Sequence, residues 1–530
     1  MLECSRGGDA RQLPVLSEAI ALISSPHSKS SPVPHFSRGV EMLLMLAISL
    51  ALLIPCVWQD HIQAGDLSSH LYNAWLAGQI ESGAVTGLTV VPQSTNVLTD
   101  WVFERLIYGS GPVAAERLVS VAAVLIFFWG AFFAVEVTTG RRPWLFSPVL
   151  AMLSYGLVFH FGFVNFYVSV GLCLWILGLG WNFSRKRALA AVPLAILAWT
   201  AHALPLIWVG SILAYVHIVR RIPSPWRIAA PLGGVAILAV IRSFIMSHYP
   251  YRWSSEQALS ISGIGGMVGV EQFWLYDSKY LMVSGAVFIV LLVLFLERLD
   301  QGGMITDPIV HLWSLHVAAL VLLPSAFQLP QYHQMLAYIP QRISLLTGIF
   351  FIMMVGRARY GRGITRFTTL IATVFFTCLY LDGLAFNRVE NEVAGLAAKL
   401  PPGQRVVAAL GDSGAYINPI GHIADRVCIG HCFSYGNYEP ATQQFRIRIT
   451  GPNRVIASDM KVVQEIEEGQ HIVTSAEDPV YSVCPFEQDR ERFYLRLIHA
   501  GEQMCAFSQQ FSVRIRAAAV RDLFEGTRTD

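Results

Sequence analysis

Leu118–Val135 reads LVSVAAVLIFFWGAFFAV, an unbroken apolar run without a charged residue. A helix needs about 20 mostly apolar residues, with roughly 17 as a floor, to cross the hydrocarbon core of a bilayer. This run meets the requirement, and Tyr280–Leu296 is equally free of charge. Outward from these two, similar or nearly similar stretches lie at 41–58, 117–136, 144–160, 166–183, 188–201, 203–219, 228–247, 280–297, 308–326, 342–356 and 366–384. The whole composition agrees. Of 530 residues 54% are hydrophobic and only 14% charged, against roughly 25% charged in soluble domains. Mean hydropathy is +0.49. A chain this poor in charge cannot cover a water-facing surface, so lipid must solvate much of it. The expected fold is an α-helical polytopic membrane protein of about eleven transmembrane helices, with an α/β domain at its C-terminal end.

Charge sets orientation. Arg141–Arg142, Arg185–Lys186–Arg187, Arg220–Arg221 with Arg227, and Arg357, Arg359, Arg362 and Arg366 mark alternate connections, and the others are nearly bare of Lys and Arg. By the positive-inside rule the basic set is cytoplasmic. The N-terminus is then inside and the C-terminus outside, as in a bacterial inner (plasma) membrane protein. Residues 1–38, polar and rich in Ser and Pro, read as a disordered cytoplasmic extension, and 39–384 as the transmembrane domain. Two large features face outward: the first loop, 59–116, and the tail, 385–530. The tail shows strand-like runs at Arg405–Leu410, Phe445–Ile449 and Phe493–Ile498, and a helical spacing across Asn453–Glu468. A net charge of +2, with no basic block, argues against nucleic acid as a partner.

The first outer loop carries the candidate chemistry. It opens with Asp60 and then Gly65–Asp66–Leu67–Ser68–Ser69–His70. Asp66 can cap a helix starting near Leu67. Leu67, Leu71, Tyr72, Ala74, Trp75 and Leu76 would give that helix an apolar surface suited to the membrane interface. Asp66 and His70 stand four apart and share a helix face. Asp100 and Glu104 repeat the spacing before the second span. Arg342 begins a span just after an outer loop and is the leading candidate for holding an anion, with Arg252, Lys279 and Arg242 behind it. Each has a plain alternative: a cap for Asp66, a hydrogen-bonded histidine for His70, a solvated helix start for Asp100 and Glu104, and a headgroup-snorkelling side chain for Arg342. Asn165, in the turn Gly162–Phe166, and His202, between two apolar segments, are further polar groups near the outer surface. In the tail, Cys428 and Cys432 with His431 between them and His422 nearby admit a zinc reading. An oxidising outer compartment favours disulfides instead, with Cys484–Cys505 the first choice and Cys428 and Cys432 open.

A first span, a long outer loop that opens with an acid, many further spans and an outer C-terminal domain together resemble the GT-C superfamily of membrane glycosyltransferases. Those enzymes take a sugar from a polyprenyl-phosphate carrier, and an Asp or Glu of the first outer loop serves as base or metal contact. The resemblance implies a catalytic role for Asp66, with His70 beside it. It implies Arg342, Asp100, Glu104, Arg252 and Lys279 as substrate-binding candidates, and a polyprenyl-phosphate-linked sugar, membrane lipid and an unidentified acceptor as partners. Many members carry adjacent or alternating acids where this chain has Asp66 alone, so a divalent metal is optional and no metal ligands are assigned. The competing classes are a transporter or lipid flippase of the cell envelope, and a non-catalytic anchor for the tail. Transporters usually place ionisable groups at mid-membrane depth, where these spans have few, and eleven spans exceed what anchoring requires.

Overall fold

The computed structural model describes residues 37–358, 361–410, 416–486 and 492–505. The expected N-terminal extension lies almost wholly outside the described residues. The rest is mostly helical.

Helix α1 (Arg38–Val57) starts at Ser37, whose hydroxyl accepts from Val40 N. The loop after it holds α2 (Leu67–Glu81), β1 (Leu88–Val90) and α3 (Leu98–Ser110), and leads into α4 (Pro112–Thr139). There follow α5 (Trp144–His160, interrupted at Tyr155–Gly156), α6 (Val164–Trp181), α7 (Arg185–Ala201), α8 (Ala203–Arg221) and α9 (Ala230–His248). Then come β2 (Tyr251–Arg252), α10 (Ser278–Asp300), α11 (Pro308–Leu322), β3 (Ala326–Phe327), α12 (Ile339–Val355) and α13 (Arg362–Ala397). Among the described residues seven helices are long and apolar enough to cross a bilayer: α1, α4, α6, α8, α9, α10 and α13. The other four expected stretches form shorter helices, α5, α7, α11 and α12.

Lipid is the solvent that the exposed surfaces demand. Met42, Leu43, Leu46, Leu50 and Ile54 project outward along α1, and α9 buries none of its residues while exposing Leu232, Ile237, Val240 and Phe244. Apolar faces this large do not persist in water. Inside the bundle α4 and α6 touch at backbone distance, since a Cβ on Gly130 would lie 2.6 Å from Gly171 O. Small residues permit such an approach where lipid supplies no hydrophobic drive for association.

The basic connections meet at one end of the bundle. Arg142 pairs with Glu41 and Glu136. Arg357 pairs with Asp307 at 2.8 Å and donates to Thr138 O, and Arg220 donates to Trp181 O. At the opposite end α13 carries the chain past the bundle without a break at Leu384. Asn387 there exchanges hydrogen bonds with the His61 backbone, and Asn391 bonds Asp60.

The tail adds β4 (Arg405–Val407), α14 (Ile423–Cys428), β5 (Phe433–Ser434), β6 (Ile447–Ile449), α15 (Met460–Glu467), β7 (Val480–Pro485) and β8 (Phe493–Ile498). Its sheet runs β5-β4-β7-β8, with β4 parallel to both neighbours and β7–β8 antiparallel. Helix α15 is shorter than the spacing suggested. Asn453 Oδ1 accepts from Val455 N and Ile456 N in a turn, and Asp459, six residues on, caps the helix. Both Cys484–Cys505 and Cys428–Cys432 are disulfides, which removes the zinc reading of the second pair. The tail also docks on the first loop: β6 pairs antiparallel with β1. Tyr72 OH accepts from Ser434 N at 3.1 Å, and Trp75 packs on Phe433. Helix α2 is therefore buried from Leu67 to Ala77 and is not the interfacial helix its apolar surface suggested. That surface serves protein, not lipid.

Candidate active site

The site starts from a backbone contact. Gly65 N and Asp66 N donate to His160 O and Phe161 O, both at 2.9 Å. Gly162 turns the chain just beyond, at φ +80°, and a Cβ there would lie 2.5 Å from Asp66 N. Only glycine tolerates both that conformation and that approach. The Gly162–Phe166 turn is thus more than a connection, because its glycine lets the preceding His160 and Phe161 carbonyls hold the backbone of Gly65 and Asp66. Asp66 stands at the N-cap position of α2, yet its side chain makes no capping hydrogen bond. The carboxylate turns into a cavity of about 410 Å³ and meets His422 Nε2 at 3.4 Å. The cap reading fails on geometry.

One wall of the cavity comes from the first loop and the bundle, including Asp66, His70, Phe163, Asn165, Phe166, His202, Tyr338 and Arg342. The tail supplies the other, with Leu410, Tyr416, His422, Tyr438, Phe445 and Glu467. Two carboxylate–imidazole groups lie in this region. His422 stands between Asp66 and Asp425, the latter 3.6 Å from Nδ1. Burial opposes its charged form, but Asp66 and Asp425 outweigh that and hold its pKa up at about 9. His70 Nδ1 lies 3.5 Å from both Asp100 and Glu439. Burial again works against the imidazolium, and the two acids carry its pKa up to about 9. Glu439 is pushed up, to about 8, by burial and by Asp100, Asp66 and Asp425, with His70 pulling against them. Burial and the facing acids thus favour the protonated form of both imidazoles and oppose ionisation of Glu439.

Arg342 sits one turn into α12. Its guanidinium lies 4.2 Å from the Phe163 ring centre and 4.7 Å from that of Phe166. Among the described residues no carboxylate is within ion-pair distance of it, and its Nε is buried without a hydrogen-bond partner. A planar cation held on aromatic faces with free donors is suited to an oxyanion such as a phosphate. The guanidinium forms part of the cavity wall.

The remaining candidates divide. Asn165 lines the cavity and fixes α3 by accepting from Thr99 N at 2.9 Å and donating to Asp100. His202 lines it too and caps α8. Asp100 reaches the site through His70, while Glu104 is drawn off to Arg446 of the tail at 3.2 Å. Lys279 pairs with Asp382 at 2.7 Å and with Asp277, away from the cavity. Arg252 is exposed on β2, and Arg242 stacks on Trp253. The tail's His422, Asp425, Tyr438, Glu439 and Glu467 lay beyond sequence reasoning. No spacing connects them to residue 66, and His422 drew notice only as a neighbour of two cysteines. Among the described residues no three His, Cys, Asp or Glu side chains are arranged to hold a metal.

Comparison with family models, with characterised proteins and with solved structures returned no match, so the geometry of the site carries the functional reading.

Proposed function

We propose that this chain is a membrane glycosyltransferase of GT-C type, taking a sugar from a polyprenyl-phosphate carrier to an acceptor hydroxyl at the outer membrane face. The observation that carries the reading is the pairing, in one cavity, of an acid freed from capping and an arginine without an ion-pair partner. A volume of about 410 Å³ is in the range of ligand sites and suits a glycosyl phosphate head group, with the prenyl chain left to lipid.

In this reaction the acceptor oxygen attacks the anomeric carbon while its proton passes to Asp66. The bond from that carbon to the bridging phosphate oxygen breaks, and its electron pair leaves with polyprenyl phosphate. Arg342 meets the charge that grows on the leaving phosphate, where a fixed cation in a partly water-excluded cavity counts for more than in bulk water. Among the described residues the donors around Asp66 are not arranged to hold a metal, and the step as written uses none. We further propose that all eleven apolar helices cross the membrane. The basic end would be cytoplasmic and the cavity extracytoplasmic, an arrangement supported by the convergence of the arginine-rich connections at the end away from Asp66.

The test uses full-length protein in detergent with polyprenyl-phosphate hexoses and pentoses, water serving as the slow acceptor, and follows release of polyprenyl phosphate. Removing a positioned base costs roughly 10²–10⁴-fold in rate, so Asp66→Asn should fall by that factor while the protein stays folded, because its side chain caps nothing. Arg342→Gln should weaken binding of polyprenyl phosphate itself at least tenfold. Wild-type turnover by the Asp66→Asn variant, or unchanged lipid-phosphate binding by Arg342→Gln, would end the proposal.

A further inference from the structure

We infer that His422, held by Asp425, is the positioning residue for Asp66, so that the C-terminal tail forms part of the reaction centre and is not an appendage. This rests on the reading of Asp66 as the base. His422 immediately precedes α14, with Nε2 directed at Asp66 Oδ1 (3.4 Å) and Nδ1 at Asp425 Oδ2 (3.6 Å). A carboxylate beside each nitrogen favours the doubly protonated imidazolium; Asp66 is the nearer of the two, and Asp425 Oδ2, at 3.6 Å, acts through its charge and not through a hydrogen bond. The Tyr438 ring covers one face, with centroids 5.1 Å apart, and Glu467 at the end of α15 is the other charged group that faces it.

The imidazole stands on a rigid base. Arg426 on the same helix forms ion pairs with Glu116 at 3.0 Å and Glu390 at 3.2 Å. The Cys428–Cys432 disulfide closes the end of the helix. His422 is therefore fixed against the bundle, and it fixes one oxygen of a carboxylate that no helix cap restrains. It also balances the charge of Asp66 inside the cavity. Asp66 comes from the first loop and its partner from a segment more than 350 positions later, so a competent base exists only when tail and bundle are docked.

The test follows the imidazole itself in full-length protein labelled with [13Cε1]histidine. The resonance missing from His422→Gln should titrate near pH 9 in the wild type and at least one unit lower in Asp66→Asn. In the polyprenyl-phosphate sugar assay His422→Ala should lose at least tenfold in kcat with KM little changed. His422→Gln keeps a donor at the same place and should recover part of that rate, without a fall in activity around pH 9. A His422 resonance titrating below pH 7, or one indifferent to Asp66→Asn, overturns the inference. So does a His422→Ala enzyme at wild-type rate when Asp66→Asn is inactive, and in that case the base reading survives. Wild-type turnover by Asp66→Asn removes the base reading, and this inference with it.

Discussion

Replacing Arg426 by Met should be among the most damaging single changes in the protein, although Arg426 does not line the cavity. Its side chain is 5% exposed, and its partners Glu116 and Glu390 are 1% and 3% exposed. It also donates to Ile62 O at 3.1 Å, while Glu116 accepts from Ile62 N and Glu390 from Gln63. One cation thus ties the tail to α4, to α13 and to the loop ahead of Asp66. Its loss leaves Glu116 and Glu390 buried, with His61, 3.8 Å from Glu116, the remaining partner among the described ion pairs. Breaking a buried pair from one side costs about 3–5 kcal/mol. Arg426 Nε and Nη1 approach their partners without hydrogen-bond alignment, which places the expected cost at the lower end, about 3 kcal/mol. Reversible unfolding in mixed detergent micelles measures it. The triple change Arg426→Met, Glu116→Gln, Glu390→Gln removes the stranded charges and should return most of the loss. An Arg426→Met protein within about 1 kcal/mol of wild type, the scale of an exposed ion pair, would refute the reasoning, and so would a triple variant no better than the single.

Stability should fall as pH rises from about 6.5 to 9. His70 and His422 have pKa values raised to about 9, so their contribution is full below the unfolded histidine pKa of about 6.5 and is lost as pH rises through 9. Glu439, raised to about 8, adds the same sign, because the unfolded chain releases that proton earlier; thermal melts of wild type and His70→Gln should differ in slope across this window, and parallel curves would contradict it. Tyr72→Phe leaves Ser434 N buried without its acceptor and should cost about 1–3 kcal/mol, read by the same unfolding assay as Arg426→Met.

The membrane class was legible from the sequence because hydrophobic length is a local property. Leu118–Val135 needs no partner to declare its solvent, and the alternating arginines place the chain's connections at two ends by counting alone. Asp66 could be singled out for the same reason, as the acid where the first loop turns into a helix. Whether it caps that helix was beyond sequence, since Asn, Ser and Asp at such a position differ little in pattern; the backbone hold that Gly162 permits and the attraction of His422 decided it. Arg342 could be named from its place at the head of a helix, but its stacking on Phe163 and Phe166 depended on how a distant turn packs. The apolar face of α2 matched a lipid-facing helix as well as a buried one, and only the docking of β6 on β1 separated the two. Asp425 and Glu439 gave no signal, and His422 gave none that linked it to Asp66. Their chemistry arises from long-range contact between tail and loop, and residue spacing along one chain does not encode contacts made across hundreds of residues.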